Sequence, residues 1–190
     1  AQRARRLEKI IDDWLQSVLP AAGDATQFTA AFQAVGYHCA VLALRAGCLA
    51  PGSPAEAACI DFIKQHMLDC FPNNPNAARN DDPLVFNPRL ITPYFAHYAL
   101  PALIERGQMD FVLDQFRRCW GDYLLAEGRT TWMEVFDGRW SHCHQWSGCP
   151  TWQLSRYVLG LWPRFDLGSH HYELRLIPGG LEFAQGRLPL

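Results

Sequence analysis

Apolar residues recur at steps of three and four along most of this 190-residue chain, which is the period of helices that bury one face. The first such stripe ends before Pro20 and consists of Leu7, Ile10, Ile11, Trp14, Leu15, Val18 and Leu19. Later stripes stop at Gly47, Gly107 and Gly128, and glycine is the residue that most readily ends a helix. Short links alternate with long ones, as in antiparallel helical hairpins. The sequence therefore predicts an all-α fold of antiparallel helical hairpins.

Start and stop signals predict five further helices after the first one. The clearest start is Ser53-Pro54-Ala55-Glu56, which combines a hydroxyl cap, a proline in the first turn and a glutamate at the third position. The predicted helices run from Asp24 or Thr26 to Gly47, from Ser53 to about Cys70, from Thr92 to Gly107, from Gln108 or Met109 to near Gly128, and from Pro150 or Thr151 to Leu159. Between the third and fourth helices, a segment rich in Pro, Asn and Asp predicts a long loop from Phe71 to about Arg89.

The pattern changes from helical to alternating beyond Pro163. Tyr172, Leu174 and Leu176 alternate with polar residues, and the same alternation returns at Leu181 and Phe183 after Pro178-Gly179-Gly180. Two alternating runs around a Pro-Gly-Gly turn predict a short β-hairpin. We therefore expect a helical part over residues 1–165 and the start of a β-strand region over residues 166–190.

Composition excludes two classes of partner. The net charge is −2 with 17 basic residues, and no basic stripe of the kind that binds nucleic acid is present. A small basic cluster on the first helix is typical of a solvated face, and it consists of Arg3, Arg5, Arg6 and Lys9. No apolar run has the length of a bilayer span, and the first residues lack the layout of a signal peptide. We expect neither nucleic-acid binding nor membrane association.

The seven cysteines are odd in number, and several occupy helical positions among apolar neighbours. Such positions favour buried thiols over a disulfide framework, and thus a reducing, cytoplasmic compartment. A metal site is one interpretation of the group His142, Cys143, His144 and Cys149. Its spacing matches no zinc pattern with paired Cys-x-x-Cys arms, so we expect neither a metal nor another cofactor.

The segment from Thr130 to Gly148 contains one glutamate, two histidines and four large aromatic residues: Glu134, His142, His144, Trp132, Phe136, Trp140 and Trp146. Carbohydrate sites use this mixture, because sugars present polar hydroxyls and apolar C–H faces. A carboxylate in such a pocket can be tuned for acid or base chemistry. The alternative is packing, in which the tryptophans are core, Glu134 caps a helix and the histidines hold the loop through backbone hydrogen bonds.

Three short sequence motifs resemble those of a known family: Thr130-Thr131-Trp132-Met133-Glu134, Ser141-His142-Cys143-His144-Gln145-Trp146, and Tyr157-Val158-Leu159-Gly160-Leu161-Trp162-Pro163. In this order they resemble the bacterial α-L-rhamnosidases, which are six-hairpin glycosidases built on an (α/α)6 toroid. The resemblance continues through residues 36–49, 87–125 and 173–181. It implies that the chain corresponds to the C-terminal half of the toroid and the start of the β-sandwich that follows it.

The chain departs from the family pattern in two ways. Met133 stands directly before Glu134, where the family usually has tryptophan, and Trp132 lies one position earlier. The family's general acid lies in an earlier Asp-x-x-x-Glu-Arg-like context that has no counterpart here, since Arg79-Asn80-Asp81-Asp82-Pro83 falls between two late helices. The resemblance therefore implies part of a glycoside hydrolase, expected to be inactive by itself.

The resemblance also implies roles for individual residues. Glu134 would be the general base of an inverting hydrolysis, while His144 and, second to it, His142 would bind sugar hydroxyls. Stacking candidates are Trp132, Trp140 and Trp146, and Asp137 would bind a hydroxyl or cap the turn before Gly138. We expect Glu134 and at least one of the two histidines to share a concave face, with Trp132 or Trp146 as one wall.

Two alternatives to an enzyme remain open from the sequence. One is a non-catalytic carbohydrate-binding domain, and the other is a helical structural or interaction domain, although no repeat of fixed period occurs. Because an open half ring would expose apolar helix faces, we also expect self-association or association with the missing half of the barrel.

Overall fold

The computed structural model describes residues 2–72, 92–125, 128–136, 140–177 and 179–187. The chain divides into two compact units, residues 1–77 and 78–190. The described residues are mostly helical, with one small two-stranded antiparallel sheet. The predicted predominance of helices is confirmed. Nearly all of the predicted loop from Phe71 to Arg89 lies outside the described residues.

The first unit contains four helices in its described part: α1 (Gln2–Val18), α2 (Ala25–Val35), α3 (Tyr37–Ala46) and α4 (Pro54–Cys70). The single helix predicted from Asp24 to Gly47 is wrong, because the chain breaks at Gly36. This glycine has φ 84° and ψ 165°, a conformation that residues with a side chain rarely adopt. The break lets α2 and α3 pack separately against α4, which a continuous helix could not do.

The core of the first unit lies between α2, α3 and α4. Its fully buried side chains include Phe32, Val41, Leu44, Ile63 and Met67. The apolar stripe of α1 buries Leu15 but leaves Ile10, Ile11 and Trp14 exposed.

Ile11 and Trp14 line an apolar groove of about 450 Å³ together with Leu42 of α3. Exposed apolar surface of this kind commonly marks an interaction site. Self-association of the chain stays a prediction. A shift from monomer to dimer with rising concentration in light scattering is the expected result, and a monomer at high concentration would contradict it.

The start of α4 is as predicted and shows why its cap matters. The Ser53 hydroxyl accepts a hydrogen bond from the Glu56 backbone N–H at 3.1 Å, and the Glu56 carboxylate accepts one from the Gly52 N–H at 2.7 Å. Two backbone donors at the helix start are thereby paired, and Pro54 follows the cap at a position where a missing N–H leaves nothing unpaired.

Replacing Ser53 with alanine is expected to destabilise the chain by about 1 kcal/mol, because the Glu56 N–H loses its acceptor. Urea denaturation followed by circular dichroism measures this loss. A threonine at position 53 is the matched control, since it keeps the hydroxyl and should restore most of the stability. Equal stability of the alanine and threonine variants would show that this hydrogen bond contributes nothing.

The second unit begins, in its described part, with a 3₁₀ turn (Pro93–Phe95) that leads into α5 (Ala96–Ile104). Helix α6 (Met109–Gln115) continues as a π-helical stretch (Phe116–Leu125), and α7 (Cys149–Gln153) continues likewise over Leu154–Val158. These elements match the three predicted helices in place, while the 3₁₀ and π-helical turns are features that the apolar period does not predict. A further 3₁₀ turn (Gln145–Ser147) directly precedes α7.

The sheet pairs β1 (Leu161–Pro163) with β2 (Tyr172–Leu174), in the register Leu161 opposite Leu174. The predicted hairpin around residues 178–180 is therefore wrong. The first of its two alternating segments forms strand β2, but the partner of β2 is β1, which precedes it in the sequence. Gly160 permits this pairing, because it has φ +71° and a Cβ there would lie 2.5 Å from the Arg175 carbonyl oxygen. Gly180 instead donates its N–H to the Asp110 carboxylate on α6 at 2.5 Å.

Candidate functional site

The segment that contains the candidate residues folds back on itself in the second unit. Its two arms are joined by two backbone hydrogen bonds, from the Glu134 N–H to the Ser141 carbonyl and from the His144 N–H to the Trp132 carbonyl, both at 2.9 Å. This pairing brings Glu134 and His144 together although ten positions separate them in the sequence. Asp137, a candidate from the sequence, lies outside the described residues.

Glu134 lies between two residues that anchor the first arm in the core. Met133 and Val135 are buried, whereas Glu134 between them keeps 35% of its side-chain surface exposed. The buried Met133 and Val135 anchor this arm in the core on either side of Glu134, whose carboxylate stays accessible to solvent. The apolar Met133 before the glutamate therefore has a packing role.

Glu134 and His144 form the central pair of the site. The Glu134 Oε2 atom lies 3.6 Å from the His144 Nε2 atom, which is too long for a direct hydrogen bond. At that separation one water or one sugar hydroxyl can contact both groups. The His144 side chain is only 16% exposed, and its ring centroid lies 4.4 Å from that of Trp146, so the imidazole is held between carboxylate and indole.

A pocket of about 280 Å³ opens beside this pair, and its described lining residues are Thr92, Tyr94, Glu134 and Trp146. The Tyr94 and Trp146 rings meet edge to face with centroids 5.9 Å apart. Both rings remain accessible, Trp146 with 48% and Tyr94 with 44% exposed surface. A carboxylate, two accessible aromatic rings and Thr92 therefore line one concavity, and the His144 imidazole lies next to the carboxylate.

The second candidate histidine, His142, lies away from the Glu134 pocket. His142 borders a separate polar pocket with Gly128, Arg129, Thr130 and Thr131, where its Nδ1 lies 2.8 Å from the Arg129 guanidinium. The Thr131 hydroxyl donates to the His142 carbonyl. The structure thus brings His144, and not His142, to Glu134.

Trp132 and Trp140 are part-buried, and neither lines the Glu134 pocket in the part of the chain that the structure describes. Trp132 packs against Gly148, since a Cβ on that glycine would lie 2.8 Å from the indole Nε1. Of the two tryptophans expected as a wall of the pocket, Trp132 and Trp146, it is therefore Trp146 that lines it.

Two residues of the pocket, Thr92 and Tyr94, are missed by sequence reasoning. The dipeptide Thr92-Pro93 predicts only a helix start, and Tyr94 falls within that helix. A usable signal is present in the spacing of Tyr94, His97 and Tyr98. These polar aromatic residues fall at steps of three and four, so they share one face of a helical turn, where aliphatic side chains would indicate plain packing.

A larger cavity, of about 750 Å³, lies in the first unit and is bordered by Leu15, Phe28 and Leu49 among others. Its described lining residues include one carboxylate, that of Asp12, and no histidine. Size alone does not make a catalytic site, because chemistry requires convergent polar groups. The smaller pocket at Glu134 is therefore the candidate site.

Two cysteines, Cys143 and Cys149, belong to the group of residues considered above as metal ligands. Cys143 is exposed, whereas Cys149 is buried, and burial raises the pKa of the Cys149 thiol well above its ordinary value. In the first unit, burial and then the charge of Glu56 raise the pKa of Cys59 to about 12.

Within the described ranges, no cluster of three His, Cys, Asp or Glu side chains has the arrangement to hold a metal. Those same ranges contain no helix with the length and apolarity to cross a bilayer.

Comparisons with known proteins find no family model, no curated protein and no solved structure that matches this chain. The resemblance to the α-L-rhamnosidases therefore stays a prediction from three short motifs. What bears on function is the geometry of the Glu134 pocket and the chemistry of the residues around it.

Proposed function

We propose that the Glu134 pocket binds a sugar and belongs to an inverting glycoside hydrolase of the α-L-rhamnosidase-like kind, with Glu134 as general base. The observation that supports this most is the placement of the Glu134 carboxylate 3.6 Å from His144 at the edge of a pocket walled by Trp146. In this proposal the described helices form part of a larger (α/α)6 toroid.

The geometry suits the first step of such a reaction. A general base must reach the water that attacks the anomeric carbon, and the part-exposed carboxylate of Glu134 is open to water on the pocket side. His144, 3.6 Å from that carboxylate, would hydrogen-bond a hydroxyl of the sugar. Trp146 and Tyr94 offer ring faces and edges to the apolar C–H surface of the sugar, which would orient the anomeric carbon toward the carboxylate.

Inverting hydrolysis also requires a general acid about 6.5–9.5 Å from the base, so that a water fits between base and sugar. The described residues that line the pocket include a single carboxylate, Glu134. We therefore assign the acid to a segment upstream of the resembling motifs, as in the family. The residues of this chain would supply the base and one wall of the sugar site, and these residues alone would not hydrolyse a glycoside.

The presence of one carboxylate among the described lining residues of the pocket favours a second candidate function, a carbohydrate-binding domain without catalysis. The two functions make different predictions for the same sugars. A binding domain would bind a glycoside without turnover even with its native flanking sequence present, whereas the hydrolase would release the sugar with inverted anomeric configuration. Proton NMR of the first product distinguishes them, because it resolves the two anomers of the released sugar.

Replacing Trp146 with alanine is expected to weaken sugar binding by about tenfold or less, since an aromatic contact contributes roughly 0.5–1.5 kcal/mol. Titration calorimetry of the 190-residue chain with L-rhamnose and a panel of aryl glycosides measures this effect. Trp14 is the matched control, because it is exposed to a similar degree, 43% against 48%, but lines the groove on α1. Equal affinity of the wild type and Trp146→Ala would exclude Trp146 as a wall of the site.

A further inference from the structure

The backbone of Trp146 is hydrogen-bonded by a side chain from outside the loop that contains it. His97, on α5, makes two hydrogen bonds, one with the turn that holds Trp146 and one with the helix that follows. Its Nε2 atom lies 2.5 Å from the Trp146 carbonyl oxygen, and its Nδ1 atom lies 2.8 Å from the indole Nε1 of Trp152 on α7. One imidazole thus connects three elements of the second unit.

The two partners determine which tautomer His97 has. An indole N–H only donates, so Nδ1 must accept; a carbonyl oxygen only accepts, so Nε2 must carry the proton. Both requirements are met by the same neutral form of the ring, with its proton on Nε2. The planes of the His97 and Trp152 rings are nearly parallel, with 8° between them. Trp152 therefore orients His97 as a donor.

A second donor holds the next peptide group. Trp120, from the π-helical stretch after α6, donates its indole N–H to the Ser147 carbonyl at 2.7 Å. Two consecutive carbonyls, of Trp146 and Ser147, are therefore bound by ring N–H groups from different helices. The 3₁₀ turn that presents Trp146 to the pocket cannot rotate about these peptide groups without breaking one of the two hydrogen bonds.

We infer that His97 is a positioning residue for the site, acting through the Trp146 backbone to hold the aromatic wall next to Glu134 and His144. This inference rests on the proposed function for its effect on sugar binding, but not for its effect on the Trp146 peptide group. His97 does not need to touch the sugar. Its donor nitrogen, and not its charge or bulk, is what the site requires.

Two substitutions separate the two nitrogens of His97. In His97→Gln the amide nitrogen occupies the place of Nε2, so the donor to Trp146 is kept and the acceptor for Trp152 is lost. In His97→Asn the amide oxygen occupies the place of Nδ1, so the acceptor is kept and the donor is lost. We expect His97→Gln to bind sugar within about twofold of the wild type, and His97→Asn to bind as weakly as Trp146→Ala, about tenfold or less below the wild type. Equal binding by all variants, or a stronger loss in His97→Gln, would overturn the inference.

Nuclear magnetic resonance gives a readout that does not depend on any sugar. The amide of Ser147 shares a peptide group with the Trp146 carbonyl, so its resonance should move in His97→Asn and stay in place in His97→Gln. The indole N–H resonance of Trp152 should show the opposite pattern. If wild-type protein binds no sugar while these shifts occur as stated, the proposed function fails and the positioning role stands. An unmoved Ser147 amide in His97→Asn would refute the positioning role whatever the sugar result.

Discussion

Replacing Glu134 with glutamine is expected to lower kcat by about 10²–10⁴-fold in the protein expressed with its native flanking sequence, the contribution of general-base assistance. Glutamine keeps the shape of the side chain next to His144 and Trp146, but it cannot take a proton from the attacking water. Sugar binding should therefore stay nearly unchanged, and the loss should appear in kcat. Steady-state kinetics on aryl α-L-rhamnosides and related glycosides measure both quantities.

A small anion provides the decisive control for this variant. Azide or formate can enter the pocket of the Glu134→Gln variant and supply the negative charge that the substitution removes. Either anion should therefore partly restore turnover with an activated substrate. An anion that acts only on the solution chemistry would raise the rate of wild-type and variant protein alike, so the two proteins are measured side by side.

Glu182→Gln is the matched substitution, because Glu182 is an exposed glutamate in the same unit, and it should leave kcat unchanged. Near wild-type turnover by Glu134→Gln would show that Glu134 is not the base. The packing interpretation of the loop would then be the better one.

His144→Ala should behave differently from Glu134→Gln if the two residues have the proposed roles. A hydroxyl contact acts in both the ground state and the transition state, so its loss should raise KM as well as lower kcat. A loss in kcat alone for Glu134→Gln, with changes in both KM and kcat for His144→Ala, would support a base role for Glu134 and a hydroxyl-binding role for His144. Identical kinetic effects of the two substitutions would contradict these roles.

Replacing Trp120 with alanine is expected to destabilise the second unit by about 3–5 kcal/mol, the usual cost of truncating a large buried aromatic side chain. Trp120 is 3% exposed, and it meets Phe136 edge to face at 5.2 Å. Its indole N–H also binds the Ser147 carbonyl at 2.7 Å. The substitution removes the packing beneath the Glu134 arm and one of the two hydrogen bonds that hold the Trp146 turn. Urea denaturation followed by circular dichroism measures the free energy of unfolding.

Two further variants divide this effect into its parts. Trp120→Phe keeps most of the packing but leaves the Ser147 carbonyl without its indole donor, and should cost about 1–3 kcal/mol. Phe165→Ala removes an aromatic side chain that is 79% exposed, and should change stability by about 0.5 kcal/mol or less. A loss below about 1 kcal/mol for Trp120→Ala, against the range for buried aromatics, would show that Trp120 does not support the site.

The local features of this protein can be predicted from the sequence because their causes are local. The start of α4 follows from the hydroxyl, proline and glutamate at Ser53, Pro54 and Glu56, which act within one turn of the helix. Glu134, His144 and Trp146 stand out as candidates because they lie within thirteen positions of one another in the sequence. The apolar period predicts most helices in the right place for the same reason.

Two errors show where local patterns mislead. Gly36 lies within an apolar stripe that predicts one helix, yet its backbone conformation divides α2 from α3, since each packs on α4 separately. Residues 178–180 have the composition of a hairpin turn, but Gly180 donates to Asp110, seventy positions away, and the strand pairing occurs at Gly160 instead. In both cases a tertiary contact outweighs the local preference.

The sequence by itself determined that the chain is mostly helical and that a carboxylate, a histidine and a tryptophan lie close together near position 140. Only the tertiary structure decided that His144, and not His142, meets Glu134, because the backbone hydrogen bonds between the two arms place His144 next to Glu134, while His142 lies beside Arg129. It also decided that Tyr94 and Thr92 complete the pocket and that His97 holds Trp146. These contacts join residues about 40–55 positions apart, and no pattern of period two or 3.6 contains information over that distance.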